Sequence, residues 1–121
     1  MSYKKLDIYT ISLELFYIVH PLTLKLPKYE MYELGSQLRR SADSITSNIV
    51  EGYGRRSYKA DYIRFLIFAH SSTDETLCHI EKLKVLYPMY EEELEMLYGR
   101  YNELGAKINR YIKYVRSHWK T

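Results

Sequence analysis

From Met31 onward, apolar side chains return every third or fourth position along almost the whole chain. The pattern breaks at two places, residues 52–57 and Pro88. That spacing marks one face of an α-helix rather than a strand. Met31, Leu34, Leu38, Ala42, Ile45 and Ile49 form the cleanest stripe. A second runs through Tyr62, Phe65 or Leu66, Ala69, Thr73, Leu77, Ile80, Leu83 and Tyr87. A third alternates steps of three and four through Leu94, Leu97, Tyr101, Leu104, Ile108, Tyr111 and Val115. Only three prolines and five glycines interrupt 121 residues, so the helices are long.

Four helices are predicted, over about 6–26, 30–52, 58–87 and 91–118. Ile8, Ile11, Leu15, Ile18, Leu22 and Leu26 give the first its core face, with a kink expected at Pro21. Tyr9, Leu13, Phe16, Tyr17 and Leu24 lie off that stripe, which predicts a second buried face against another subunit. In the second helix, Glu30 and Glu33 are read as first-turn carboxylates facing the helix dipole. Gly52 and Gly54 are read as a positive-φ C-cap and turn, and Ser57 as the next N-cap. The fourth helix is acidic at its start and basic from Lys107 to Lys120, the order that suits its dipole. Its Tyr98, Gly105, Ile112 and Trp119, seven residues apart, predict another surface for subunit contacts. Short loops between long helices make neighbours antiparallel. The expected fold is all-α: one domain over 1–121, an antiparallel up-down-up-down four-helix bundle.

Composition narrows the function classes. The net charge is +3, short of what a dedicated nucleic-acid binder carries. Fourteen tyrosines suit half-buried positions and interfaces. Cys78 stands alone, so no intrachain disulfide or cysteine metal site forms; with no signal peptide and no bilayer-length apolar run, the expected setting is the cytoplasm, away from membranes. A di-iron bundle needs Glu three residues before His. The residues standing before His20, His70, His79 and His118 are Tyr17, Ile67, Thr76 and Val115. No metal site, cofactor or catalytic constellation is therefore predicted. Glu75 with His79, and His70 with Asp74, read as lone surface pairs.

Two groups remain. Gln37, Ser41, Ser44, Asn48 and Glu51 form a polar stripe beside the second helix's apolar one. Folded back about residues 52–57, it comes level with Ser71 to Glu75. This predicts a partly buried polar network between the second and third helices, Glu75 included, serving either packing register or a ligand pocket. Arg39, Arg40, Arg55, Arg56 and Lys59, with Tyr53 and Tyr58 beside them, form the candidate anion-binding cluster, read equally as ordinary surface ion pairs.

The motif Gln37-Leu38-Arg39-Arg40-Ser41, then Ser44-Ile45, then Asn48-Ile49-x-Glu51-Gly52-x-Gly54-Arg55, resembles the four-helix-bundle proteins encoded in intervening sequences of bacterial 23S ribosomal RNA genes. The resemblance covers nearly the whole chain, with Val50 standing where alanine is commoner. That family is similar to the accessory variability determinant of diversity-generating retroelements, a homopentameric barrel with a basic surface that associates with reverse transcriptase and nucleic acid. The resemblance implies a non-enzymatic homopentamer that binds structured RNA or a ribonucleoprotein, with a positional carry-over to Arg39, Arg40, Arg55 and Arg56; Lys59 joins these four from the candidate anion-binding cluster. The alternative is an interaction scaffold, an accessory subunit of a mobile element's reverse-transcriptase-like enzyme, with no nucleic-acid contact of its own.

Overall fold

The computed structural model describes residues 2–120. Four helices carry the chain up and down: α1 (Asp7–Leu24), α2 (Leu34–Gly54), α3 (Lys59–Leu86) and α4 (Glu91–His118). Short 3-10 turns at Tyr3–Lys5, Lys28–Met31 and Pro88–Tyr90 stand before α1, α2 and α4. Each helix packs on its chain neighbours, and α1 closes the bundle against α4. The α2–α3 pair shares the most extensive interface and the α1–α4 seam the sparsest.

The predicted stripes of α2, α3 and α4 supply the core. Leu38, Ala42, Ile45, Ile49, Tyr62, Leu66, Ala69, Ile80, Leu83, Leu94, Leu97, Tyr101, Leu104, Ile108 and Val115 are all buried. The stripe of α1 is rotated from the expected one. Ile11 is only half-buried and Ile18 is exposed, while Ser12, Val19 and Thr23 face the core. Burying two hydroxyls is possible because each bonds its own helix: Ser12 Oγ donates to Tyr9 O at 2.9 Å and Thr23 Oγ1 to His20 O at 2.9 Å. α1 continues through Pro21, whose ring lies on the exposed side.

The chain departs from expectation at three junctions. α2 begins at Leu34 rather than Glu30, and Met31 is exposed. Glu30 is buried in the turn before the helix, where its Oε1 accepts the Gly35 N–H at 3.1 Å and its Oε2 accepts the Tyr87 hydroxyl at 2.6 Å. No glycine among the described residues has positive φ, and α2 runs on through Gly54. The turn is closed instead by Arg55 N–H to Gly52 O and Arg56 N–H to Tyr53 O, at 3.0 and 3.1 Å. Gly52 serves a different purpose: a Cβ there would stand 2.9 Å from Phe65 Cβ, so its absence lets α2 and α3 approach. Ser57 is exposed and the N-cap of α3 is Tyr58, without a side-chain cap.

The second stripe on α4 also turns inward. Gly105 and Ile112 are buried, a Cβ on Gly105 would touch Thr73 Cγ2 at 3.4 Å, and Trp119 packs edge-on against Tyr62. That surface joins α4 to its own chain and is not left for a partner.

Candidate nucleic-acid interface

Small hydroxyls hold α2 on both flanks. Toward α3, Thr76 Oγ1 meets Ser41 Oγ at 2.9 Å, and Ser44 Oγ meets Ser72 Oγ at 2.9 Å. Asn48 Nδ2 donates back to Ser44 O and Oγ at 2.8 and 3.0 Å. Toward α1, Thr46 Oγ1 donates to Ser12 Oγ at 3.0 Å. Of the predicted stripe, Ser41 and Ser44 thus bond to α3, and Asn48 braces Ser44 within α2. Gln37 is exposed outside this group, Glu51 turns to Arg55, and Glu75 pairs at 3.2 Å with His79. Ser12, Thr46 and Thr76 were not anticipated. Their signal is a hydroxyl standing within an apolar stripe at core spacing.

The five candidate cations do not form one patch. Arg39 and Arg40 lie roughly 24 Å along the α2 axis from Arg55 and Arg56, at 1.5 Å per residue. Arg39 is held by Thr23 Oγ1 at 2.8 Å and Met31 O at 2.9 Å, tying α2 to the end of α1. Lys59 donates to Arg116 O at 2.6 Å and so closes the C-terminal end of α4. Arg55 pairs with Glu51 at 3.0 Å and with Asp61 at 3.7 Å; the hydrogen bond to Glu51 raises its already high pKa. Arg56 lies over the Tyr53 ring at 4.1 Å, and its carbonyl accepts the Trp119 indole N–H at 2.8 Å. Arg40 is exposed.

Because the helices alternate, the turn between α2 and α3 stands beside the C-terminal half of α4. There Arg110, Lys113, Arg116 and Lys120 are exposed, and their side chains enter none of the ion pairs among the described residues. Arg110, Lys113 and Arg116 follow one another at steps of three along the helix, and Lys120 lies just past its extended C-cap, Trp119. The sequence reading favoured the helix dipole and solubility over ligand binding for these charges; the marker it passed over is the run of aromatic rings on the same turns. Tyr111 stacks on Tyr114 with centroids 6.0 Å apart at 21°, and Tyr114 on His118 at 4.9 Å and 14°. The inner ring is anchored, since Tyr111 Oη meets Tyr62 Oη at 2.8 Å. Burial raises the pKa of both phenols, Tyr62 the more strongly.

The opposite end has the contrary character. Glu91, Glu92 and Glu95 are exposed there beside Val85, Leu86, Met89 and Tyr32. Lys84 and Glu95 join α3 to α4. Among the described residues no group of three or more His, Cys, Asp or Glu side chains is placed to hold a metal ion. His70 and Asp74 stand 3.8 Å apart as an isolated pair, and Cys78 is a free, exposed thiol. Among the same residues, no helix is long and apolar enough to cross a membrane.

An antiparallel helical bundle with a hydroxyl-laced second helix and one cationic, aromatic end defines a class of small all-α protein. The chain belongs to the 23S rRNA-intervening sequence protein family, whose model matches residues 4–110. Among solved structures it is similar to a protein of unknown function from the S23 ribosomal protein family of Bacteroides thetaiotaomicron VPI-5482, determined at 1.70 Å. The TM-score is 0.79 at 24% identity, over 88% of this chain and 96% of that one, a likeness of fold. No curated protein matches the chain.

Proposed function

We propose that the chain is a non-enzymatic, cytoplasmic RNA-binding bundle whose contact surface is the end formed by the α2–α3 turn and the last turns of α4. One observation carries this reading. Arg110, Lys113, Arg116 and Lys120 are exposed and have no carboxylate partner among the described residues, and the last turns of α4 that bear them also carry the stacked rings of Tyr111, Tyr114 and His118, at the end that bears Arg55 and Arg56. Unpaired cations can displace counterions from phosphates, whereas ion-paired ones must first leave their partners. Of the five cations predicted from sequence, Arg55 and Arg56 stay in the proposal at its edge. Arg40 stands apart from it, and Arg39 and Lys59 support the scaffold.

A salt titration of binding to a structured RNA tests the reading. Affinity is expected to fall steeply with salt. Lys113→Glu/Arg116→Glu/Lys120→Glu is expected to weaken binding and to flatten the log–log slope by about 2 to 3, at roughly 0.7 to 0.9 per phosphate contact. Arg40→Glu is expected to change little. Absence of binding by the wild type at low salt overturns the reading and leaves the scaffold alternative, with a protein partner, in its place.

A second reading, self-association, draws on the α1–α4 seam. A cleft of about 310 Å³ opens there between Tyr17, Ile18, Pro21, Leu22, Lys25, Glu93 and Met96. Tyr17 is 65% exposed and Leu24 52%. Covering these side chains with a second copy removes apolar surface from water. Light scattering is expected to give a mass above that of one chain, with five copies as the state the family resemblance implies. Tyr17→Glu/Met96→Glu is expected to return it toward the monomer with helicity unchanged. A wild-type monomer at micromolar concentration overturns this reading.

A further inference from the structure

We infer that the rings of Tyr111, Tyr114 and His118 form a stacking platform for an unpaired nucleobase, so that the ligand of the basic end is single-stranded RNA rather than duplex. The inference rests on the RNA-binding reading and specifies which form of RNA it concerns. Three observations support it. The rings are nearly parallel, at 21° and 14°, and follow one another at i, i+3 and i+7 along a single rigid helix. The ladder is fixed at both ends: Tyr111 by the Tyr62 hydroxyl at 2.8 Å, and His118 by Nδ1 lying 3.3 Å from Tyr114 O, which suits an Nδ1–H donating to that carbonyl. Tyr114 is 48% exposed and His118 is exposed, so the outer rungs are reached from solvent, and Tyr114 is the one ring stacked on His118 among the described contacts.

The charge around the ladder selects the occupant. Arg110 and Lys113 stand four residues and one residue before Tyr114, and Lys120 lies two residues after His118. An apolar protein partner would gain from the rings but would have to cover these cations. A strand of nucleic acid satisfies both, with phosphates on the cations and a base continuing the stack. A duplex supplies only the phosphates, because its bases are already stacked on one another and its grooves expose edges rather than faces. Local packing between helix neighbours accounts for Tyr111 touching Tyr114. It gives no reason for the outer rung to be left open among uncommitted cations.

The test compares a short single-stranded oligoadenylate with a blunt RNA duplex of the same length, both fluorescently labelled. Tyr114→Ala/His118→Ala is expected to lower single-strand affinity roughly 5- to 100-fold, the range for losing base–aromatic stacking. Duplex affinity and the salt slope are expected to stay unchanged. Tyr114→Phe/His118→Phe, which keeps the rings, is expected to bind the single strand nearly as the wild type does. A 2-aminopurine placed in the strand is expected to be quenched by the wild type and not by the alanine variant. Both substitutions lie on the surface, and helicity by circular dichroism checks the fold. If the wild type binds RNA and the alanine variant binds the single strand equally well, the platform is overturned and the charge-based interface stands. If the wild type binds neither RNA, the interface reading itself is overturned.

Discussion

Between pH 10 and about 12 the bundle is expected to lose stability steeply, because two of its largest core side chains are phenols that resist ionisation. Tyr62 and Tyr101 are fully buried. Burial, reinforced at Tyr62 by the hydrogen bond to Tyr111, pushes both pKa values far above the ordinary 10. In the unfolded chain the same phenols ionise near 10. Above that pH the unfolded state binds fewer protons than the folded one, so the unfolding free energy falls as pH rises. The stabilisation is fully present below pH 10 and is lost progressively above it. Each phenol contributes a slope of about 1.4 kcal/mol per pH unit, so the two together remove about 5 kcal/mol by pH 12. That is comparable to the whole stability of a small domain. Urea midpoints measured against pH check the slope. Tyr101→Phe separates the contributions. The Tyr101 hydroxyl has no hydrogen-bond partner among the described residues. Its removal is expected to stabilise the protein by about 1 kcal/mol at neutral pH, since the buried polar group is unsatisfied. It should also reduce the alkaline slope by one phenol's share, about 1.4 kcal/mol per pH unit. A stability flat through pH 11, or a slope unchanged in the variant, contradicts this account.

Glu30→Ala is expected to cost about 3 kcal/mol. The Glu30 carboxylate is buried where the ends of α1 and α3 meet the start of α2, and it satisfies two donors on different elements. Tyr87 Oη, in turn, stands 2.8 Å from Tyr29 Oη. Alanine leaves the Gly35 N–H and the Tyr87 hydroxyl without their acceptor, at about 1 to 3 kcal/mol each when buried; Tyr29 limits the loss at Tyr87. The turn has little room to rearrange, because a Cβ on Gly35 would already stand 2.5 Å from the Glu30 carbonyl. Glu30→Gln keeps an acceptor oxygen and is expected to lose less than half as much. Glu33→Ala, two residues before Gly35 and exposed, is expected to stay within about 0.5 kcal/mol of the wild type. Urea unfolding with an unchanged m-value would assign the effect to the folded state. Equal stability of Glu30→Ala and the wild type would contradict it.

These two sites also mark where the sequence stops being legible. The bundle, its antiparallel order and the full extent of α4 follow from apolar spacing and from Pro88, because burial of a stripe is enforced at every turn of a long helix. The start of α2 does not follow. A glutamate just before a helix reads as a solvent-facing carboxylate near the dipole. What buries Glu30 is Tyr87, fifty-seven residues away in the chain. The core face of α1 was misplaced for a related reason. Ile11 and Ile18 outrank Ser12 and Thr23 on hydrophobicity, yet the serine and threonine satisfy themselves on their own helix and so pack inside. Gly52 was recognised as special but given the wrong reason, since close approach to Phe65 and a left-handed turn leave the same residue in the sequence. Among the cations, sequence shows charge and not partnership. Arg39 and Lys59 look as available as Lys113 until their acceptors, Met31 O and Arg116 O, are seen beside them.

The contrast between the two ends of the bundle has a consequence for encounter rather than for binding. With Arg55, Arg56, Arg110, Lys113, Arg116 and Lys120 toward one end and Glu91, Glu92 and Glu95 at the other, charge is spread unevenly along the bundle, although Arg39 and Arg40 stand toward the acidic end. In the field of a polyanion such a rod experiences a torque before it makes any contact. If the chain binds RNA as proposed, it would turn its aromatic end inward and its glutamates away. Collisions would thereby be pre-aligned, with the end bearing Met89 and Leu86 left pointing outward.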